Sequence, residues 1–162
     1  MQTRRQALHL ATGAAAFALF GCKSQAAVPA GNFPFKLTDA QWRAKLAPAA
    51  YAVLRQADTE RSGSSPLNGE HRTGSFACKG CTQKLFASGT KFESGTGWPS
   101  FYAPLKGAVG STTDRTLGMS RTEVHCARCG GHLGHVFDDG PPPTGKRYCM
   151  NGVAMTFTPG RA

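Results

Sequence analysis

Two cysteine pairs, Cys78-Lys79-Gly80-Cys81 and Cys126-Ala127-Arg128-Cys129, stand 44 residues apart in this chain. A C-x2-C turn aims two thiolates at one point, and two such turns supply the four sulfurs of a tetrahedral structural zinc site. Gly80 and Gly130 let backbone come close to the sulfurs. Three other readings compete. The pairs could be redox dithiols, although two unrelated redox pairs in one small domain would be unusual. They could close as two disulfides in an oxidising compartment. A local site of Cys126, Cys129, His132 and His135 would crowd four ligands into ten residues and leave Cys78 and Cys81 without a role. The four-thiolate zinc site is favoured because one site accounts for all four cysteines.

Length and charge bound the rest. The chain has 162 residues, a prior for one domain, and 19 Lys+Arg against 9 Asp+Glu, a net charge of +10. Residues 1–30 hold Arg4, Arg5 and Lys23 but no acid, with an apolar stretch from Leu10 to Gly21. That is the layout of an export signal, too short and alanine-rich for a stable membrane span. Thr3-Arg4-Arg5-Gln6-Ala7-Leu8 resembles a twin-arginine signal, with Ala7 where a larger apolar residue is usual. Leu19-Phe20-Gly21-Cys22 resembles a lipoprotein cleavage box with Cys22 as the lipidated residue. A plain cut near Ala26 or Ala30 is the other reading. The expected location is therefore exported and periplasmic, with or without a lipid anchor at Cys22. From residue 31 onward, 16 basic and 9 acidic residues leave +7, which a tetrathiolate zinc centre of about −2 lowers to roughly +5. Five cysteines remain beyond the signal, and five is odd.

The body of the chain reads as short helices followed by strands. Leu37 to Leu46 predicts a helix, with Thr38 and Gln41 placed for a capping box. Pro48 opens a second helix running to Ala57. Arg61 to Gly74 carries loop punctuation. Past Gly74, short segments rich in Phe, Val, Thr and Tyr alternate with glycine, which predicts a mainly β, antiparallel domain. Asp138 to Gly145 reads as a stiff extended loop around three prolines, and Arg147 to Phe157 as the strongest strand.

Cys149 is the cysteine without a partner. Alternation along that strand puts Arg147, Cys149, Asn151, Val153, Met155 and Phe157 on one face, with Cys149 and Asn151 at the open end of a core-facing row. Arg147 would favour the thiolate, making Cys149 a candidate nucleophile rather than an inert buried thiol. Trp98, braced in Gly97-Trp98-Pro99, suits an apolar, polarisable guest such as a methyl-sulfur group, or is simply a corner of the core. His132 and His135 would face opposite ways in a plain strand, but Gly134 permits a bulge that converges them. Glu123 reads as a residue solvating a strand edge.

The order C-x2-C, SGTGWPSF (94–101), GMSRTEV (118–124), C-x2-C and HLGHVFDDGPPPTGKRYCMN (132–151) resembles the type B methionine sulfoxide reductases, over roughly Leu37 to Phe157. The resemblance implies two antiparallel sheets with small helices at the start, and a catalytic domain over 31–162. It implies that Cys149 attacks the sulfoxide sulfur, and that His132, His135 and Asn151 hold and protonate its oxygen. Trp98, with Phe137 and Arg147, would bind the substrate, and Cys78, Cys81, Cys126 and Cys129 would bind one structural zinc. Methionine-R-sulfoxide in oxidised proteins is the implied substrate. Many relatives carry a second, resolving cysteine where this chain has Thr96, so a thioredoxin-like protein is expected to reduce the Cys149 sulfenic acid directly. A monomer that binds no nucleic acid is expected. The rivals are a basic zinc-ribbon nucleic-acid binder and a purely structural secreted zinc domain.

Overall fold

The computed structural model describes residues 31–161. Two helices come first. Helix α1 (Asp39–Lys45) is capped by Thr38, whose hydroxyl accepts from the Gln41 N–H while the Gln41 side chain accepts from the Thr38 N–H. Helix α2 (Pro48–Gln56) has proline in its first turn and buries Ala50, Tyr51, Val53 and Leu54. Nine strands follow: β1 (Gly74–Cys78), β2 (Lys84–Ala87), β3 (Lys91–Phe92), β4 (Ser100–Phe101), β5 (Val109–Asp114), β6 (Arg121–Cys126), β7 (His132–Phe137), β8 (Arg147–Met150) and β9 (Met155–Pro159). They form two antiparallel sheets, three-stranded β2-β1-β9 and six-stranded β3-β4-β8-β7-β6-β5. The mainly β architecture expected from the sequence is present, with both helices in place.

Aromatic side chains join the sheets. Phe86 of β2 stacks on Phe101 of β4 at 4.3 Å between ring centroids, and Phe76 of β1 meets the same ring edge-on at 4.9 Å. Leu85, Val124, Leu133 and Met150 fill the same core at 0% exposure. Among the described residues no helix is long and apolar enough to cross a membrane, and Met119 is the large hydrophobic residue left exposed.

Two sequence expectations need correction. Arg147 to Phe157 is not one strand: it pairs in the large sheet to Met150, turns through a 3-10 turn at Gly152–Ala154, and resumes as β9 in the small sheet. The turn is imposed at Asn151, whose N–H donates to the Leu133 carbonyl, while the Glu60 carboxylate accepts from the Gly152 and Val153 N–H groups. The 3-10 turn thus has its open N–H groups satisfied by a carboxylate, an arrangement that favours an acid there. As a result Tyr148 and Met150 face the core, and Cys149 lies on the other face with Arg147. The proline loop is also less extended than expected. It closes on itself through Gly140 N–H to Gly145 O and Gly145 N–H to Pro141 O, and Asp139 clasps Arg147 across its neck.

The C-x2-C segments are the tips of the β1–β2 and β6–β7 hairpins, and they are built alike. Thr82 N–H donates to Cys78 O and Cys78 N–H to Gln83 O; Gly130 N–H donates to Cys126 O and Cys126 N–H to Gly131 O. Both tips need a left-handed residue, at φ 63° for Thr82 and 70° for Gly130. That region strains a β-branched side chain. Thr82→Gly should therefore raise stability by about 0.5–1 kcal/mol in urea unfolding.

Candidate functional site

The hairpin tips bring Cys78, Cys81, Cys126 and Cys129 together, all buried, with sulfurs within 4.8 Å of one another. Cys78 and Cys129 sulfurs are 3.7 Å apart, and those of Cys81 and Cys126 3.5 Å, so none is bonded to another. A tetrahedron of thiolates about 2.3 Å from a zinc ion has edges of about 3.8 Å, so the cluster fits such an ion. Contact among the sulfurs pushes the Cys78 and Cys129 thiols up and the Cys81 and Cys126 thiols down, so the four do not ionise independently. Four thiolates this close repel one another, and a cation among them offsets that repulsion. Two arginines add positive charge at the tips: Arg128 donates to Cys81 O at 2.7 Å, and Arg55 to Cys129 O at 3.2 Å. The local cysteine–histidine alternative is not what forms: Cys126 and Cys129 cluster with Cys78 and Cys81, and neither His132 nor His135 belongs to that cluster. Metal analysis should find one ion per chain, lost together with thermal stability in Cys126→Ser.

The second site lies on the outer face of the large sheet. Directly opposed residues of neighbouring strands share a face. Ser100 of β4, Cys149 of β8, His135 of β7, Glu123 of β6 and Thr112 of β5 are opposed in turn and form one row. Leu133 is an extra residue in β7, since His132 opposes His125 while Gly134 opposes Val124. This bulge brings the two imidazoles to one face, with ring centroids 5.4 Å apart. It also depends on Gly134, where a Cβ would sit 2.1 Å from the Cys149 carbonyl oxygen.

Each histidine is held by a carboxylate. His132 Nδ1 lies 2.8 Å from Glu123 Oε1, and His135 Nε2 2.8 Å from Asp114 Oδ2. Burial works to raise both carboxyls, but hydrogen bonds outweigh it. Thr116, His135 and Arg121 hold Asp114 well below its usual range, and His132 and Thr112 hold Glu123 low. An ionised carboxylate only accepts, so His132 carries its proton on Nδ1 and His135 on Nε2. His132 Nε2 is left buried and without a partner. Glu123 is thus not a strand-edge solvating group: it is 7% exposed and orients His132. Burial lowers His135 despite Asp114.

A cavity of about 200 Å³ opens over this row, lined by Thr59, Trp98, Arg121, Gly134, His135, Phe137, Cys149 and Asn151. Of the residues singled out from the sequence, Trp98, His135, Phe137, Cys149 and Asn151 meet there. His132 lies behind His135, and Arg147 does not line the cavity. Its guanidinium sits 4.4 Å over the Phe137 ring while gripping Asp139 with two 2.8 Å bonds. The Asn151 amide is largely committed, accepting from Glu60 N–H and donating to Leu133 O. Glu60 has a role the sequence reading did not assign. Besides the Gly152–Ala154 turn, its carbonyl accepts from Trp98 Nε1 at 3.2 Å. An acid just past α2 in a Ser- and Gly-rich loop was the available signal. Asp114 was missed too, although it faces Arg121 across a tight connection.

The model of the SelR domain family matches residues 46–159. The chain is similar to the peptide methionine sulfoxide reductase MsrB of Thiobacillus denitrificans, 54% identical over 75% of this chain and 93% of that protein. It is also similar to the protein of that name from Agrobacterium fabrum, 53% identical over 75% and 91% of the two chains. The Leifsonia xyli protein of that name is 51% identical over 80% and 94%.

The depressed pKa values set an acid limb for stability. His135 gains its proton more readily when unfolded, so stability should fall as pH drops below about 6.5. Asp114 and Glu123 contribute stability above their unfolded values and lose it as pH falls from about 4.5 towards their folded values. Asp114→Asn should flatten the lower part of this limb in denaturation measured against pH.

Proposed function

The chain belongs to the SelR domain family, and from that we propose that it reduces methionine-R-sulfoxide in oxidised proteins to methionine. The observation that carries this reading is Cys149. It is the one described cysteine outside the four-sulfur cluster, half-buried in a cavity with an indole, a phenyl ring and a histidine. Its thiolate attacks the sulfoxide sulfur, with the methyl group against Trp98 and Phe137. The sulfoxide oxygen takes up one proton, and methionine leaves as the oxygen stays on Cys149 as sulfenic acid. The balance is a thiol plus a sulfoxide giving a sulfenic acid plus a thioether. His135 and His132 are read as the groups that hold and protonate this oxygen, and each carboxylate partner fixes which ring nitrogen is turned away from it. Asn151 and Arg147 act by holding the floor and the Phe137 wall.

Turnover then needs two thiols: one displaces water from the sulfenic acid to form a mixed disulfide, and the second releases Cys149. Among the described residues no other cysteine is free of the four-sulfur cluster, and Thr96 Oγ1 lies 3.8 Å from Cys149 Sγ. A thioredoxin-like dithiol protein is the reductant this supports. The four-sulfur cluster is read as holding zinc, whose role when bound is structural. The expected export signal lies in residues 1–30, outside the described residues. We hold to the reading that the chain is exported to the periplasm, with Cys22 as a candidate lipid anchor, which cell fractionation tests.

A peptide carrying methionine-R-sulfoxide should be reduced by the wild type and not by Cys149→Ser, and the S epimer by neither. Equal rates for the two proteins would overturn the assignment. A disulfide that includes Cys149, trapped within the chain after one equivalent of sulfoxide, would overturn direct reduction.

A further inference from the structure

A chain of hydroxyl groups leads away from Cys149 on the side opposite the histidines. Thr96 Oγ1 lies 3.8 Å from Cys149 Sγ and 2.9 Å from Ser94 Oγ, which is 2.8 Å from Ser100 Oγ. Ser100, buried directly opposite Cys149 on β4, donates in turn to the Trp98 carbonyl at 3.2 Å. The Thr96 N–H also points at Ser94 Oγ, at 3.4 Å. Ser94 and Ser100 line a second cavity of about 220 Å³, which lies on the other side of Trp98 from Cys149. That cavity has no part in the proposed reaction.

Each hydroxyl has one proton and two lone pairs, so the chain has two polarities. With Cys149 as a thiol, its S–H is given to Thr96, Thr96 gives to Ser94, Ser94 to Ser100, and Ser100 to the Trp98 carbonyl. With Cys149 as a thiolate, Thr96 turns its O–H to the sulfur and accepts from Ser94. A hydrogen bond to the charged form favours that form. The charged groups facing Cys149 are largely engaged. On its own strand Arg147 is held by Asp139 while also reaching the Cys149 side chain, on β7 His135 is held by Asp114, and on β6 Arg121 is held by Asp114 as well.

We propose that Thr96 is a catalytic donor to the Cys149 thiolate, and that Ser94 carries the departing proton to the second cavity. The Cys149 S–H bond breaks as Thr96 takes that proton and gives its own to Ser94; Ser94, its O–H turned from Ser100 to the second cavity, gives its own proton to water there. Ser100 is a positioning residue that keeps Ser94 in line. A threonine at 96 then does more than replace a resolving thiol: its hydroxyl activates the nucleophile that it cannot resolve. The proposal rests on Cys149 being the nucleophile, but its test needs no sulfoxide.

The rate of Cys149 alkylation by iodoacetamide, followed on the Cys149 peptide by mass, is measured against pH in the full, metal-loaded protein. Thr96→Val should move the midpoint up by about one unit, the size expected for one hydrogen bond to a charged group. Thr96→Ser should keep the wild-type midpoint, and Ser94→Ala should shift it upward by less than Thr96→Val. Unmoved midpoints in Thr96→Val and Ser94→Ala overturn the proposal. Where Thr96→Val does not fold, an unmoved Ser94→Ala midpoint does so alone. A shifted midpoint in a protein that fails to reduce the sulfoxide would sink the reductase reading and leave the hydroxyl chain standing.

Discussion

Four sulfurs within 4.8 Å of one another hold this molecule together at the place where its two sheets meet. Each sheet contributes one hairpin tip, and each tip repeats the same pair of backbone hydrogen bonds around its cysteines. Four such thiolates repel one another unless a cation sits between them, so the fold is bound to the metal chemistry of these side chains. The reach of that dependence is long. Cys78 is paired with Met155 at the start of β9, and β9 is reached from Cys149 through one short turn. The cysteine that is free to react and the cysteines that are not share one continuous stretch of framework.

Around the cavity, acids are used as internal struts. Asp114 and Glu123 aim the two histidines, Asp139 fixes the arginine beneath Phe137, and Glu60 ties Trp98, Asn151 and the Gly152–Ala154 turn. Several of these carboxylates are held ionised by donors rather than by solvent. Most carboxylates of the described residues are spent on neighbours in the fold, while cations such as Lys45, Lys84 and Lys106 have no carboxylate within ion-pair distance.

Much of this was legible in the sequence because the signals were local. The capping box at Thr38 and Gln41, the proline opening α2 and the two C-x2-C tips each depend on residues within five positions of one another, and each has the form expected. The bulge at Leu133 was also foreshadowed, because only an extra residue lets His132 and His135 share a face. What failed was alternation carried through Asn151. Residues 147–157 have strand composition throughout, and the break is made by Leu133 and Glu60, which lie far away in sequence. The roles of Glu60, in a loop, and Asp114, at the end of β5, escaped notice for the same reason: an acid looks solvated until the donors facing it are known.

The glycine between the two histidines bears on how the site could be rebuilt elsewhere. A side chain at 134 would strike not the imidazoles but the carbonyl of Cys149 on the neighbouring strand. The His-Leu-Gly-His segment is therefore half of an interlocking part whose other half is the backbone of β8. A designer grafting these histidines onto a new sheet would have to transplant the adjoining strand at the same close spacing, or the bulge would have nothing to close against. The transferable unit is a pair of strands, not a motif.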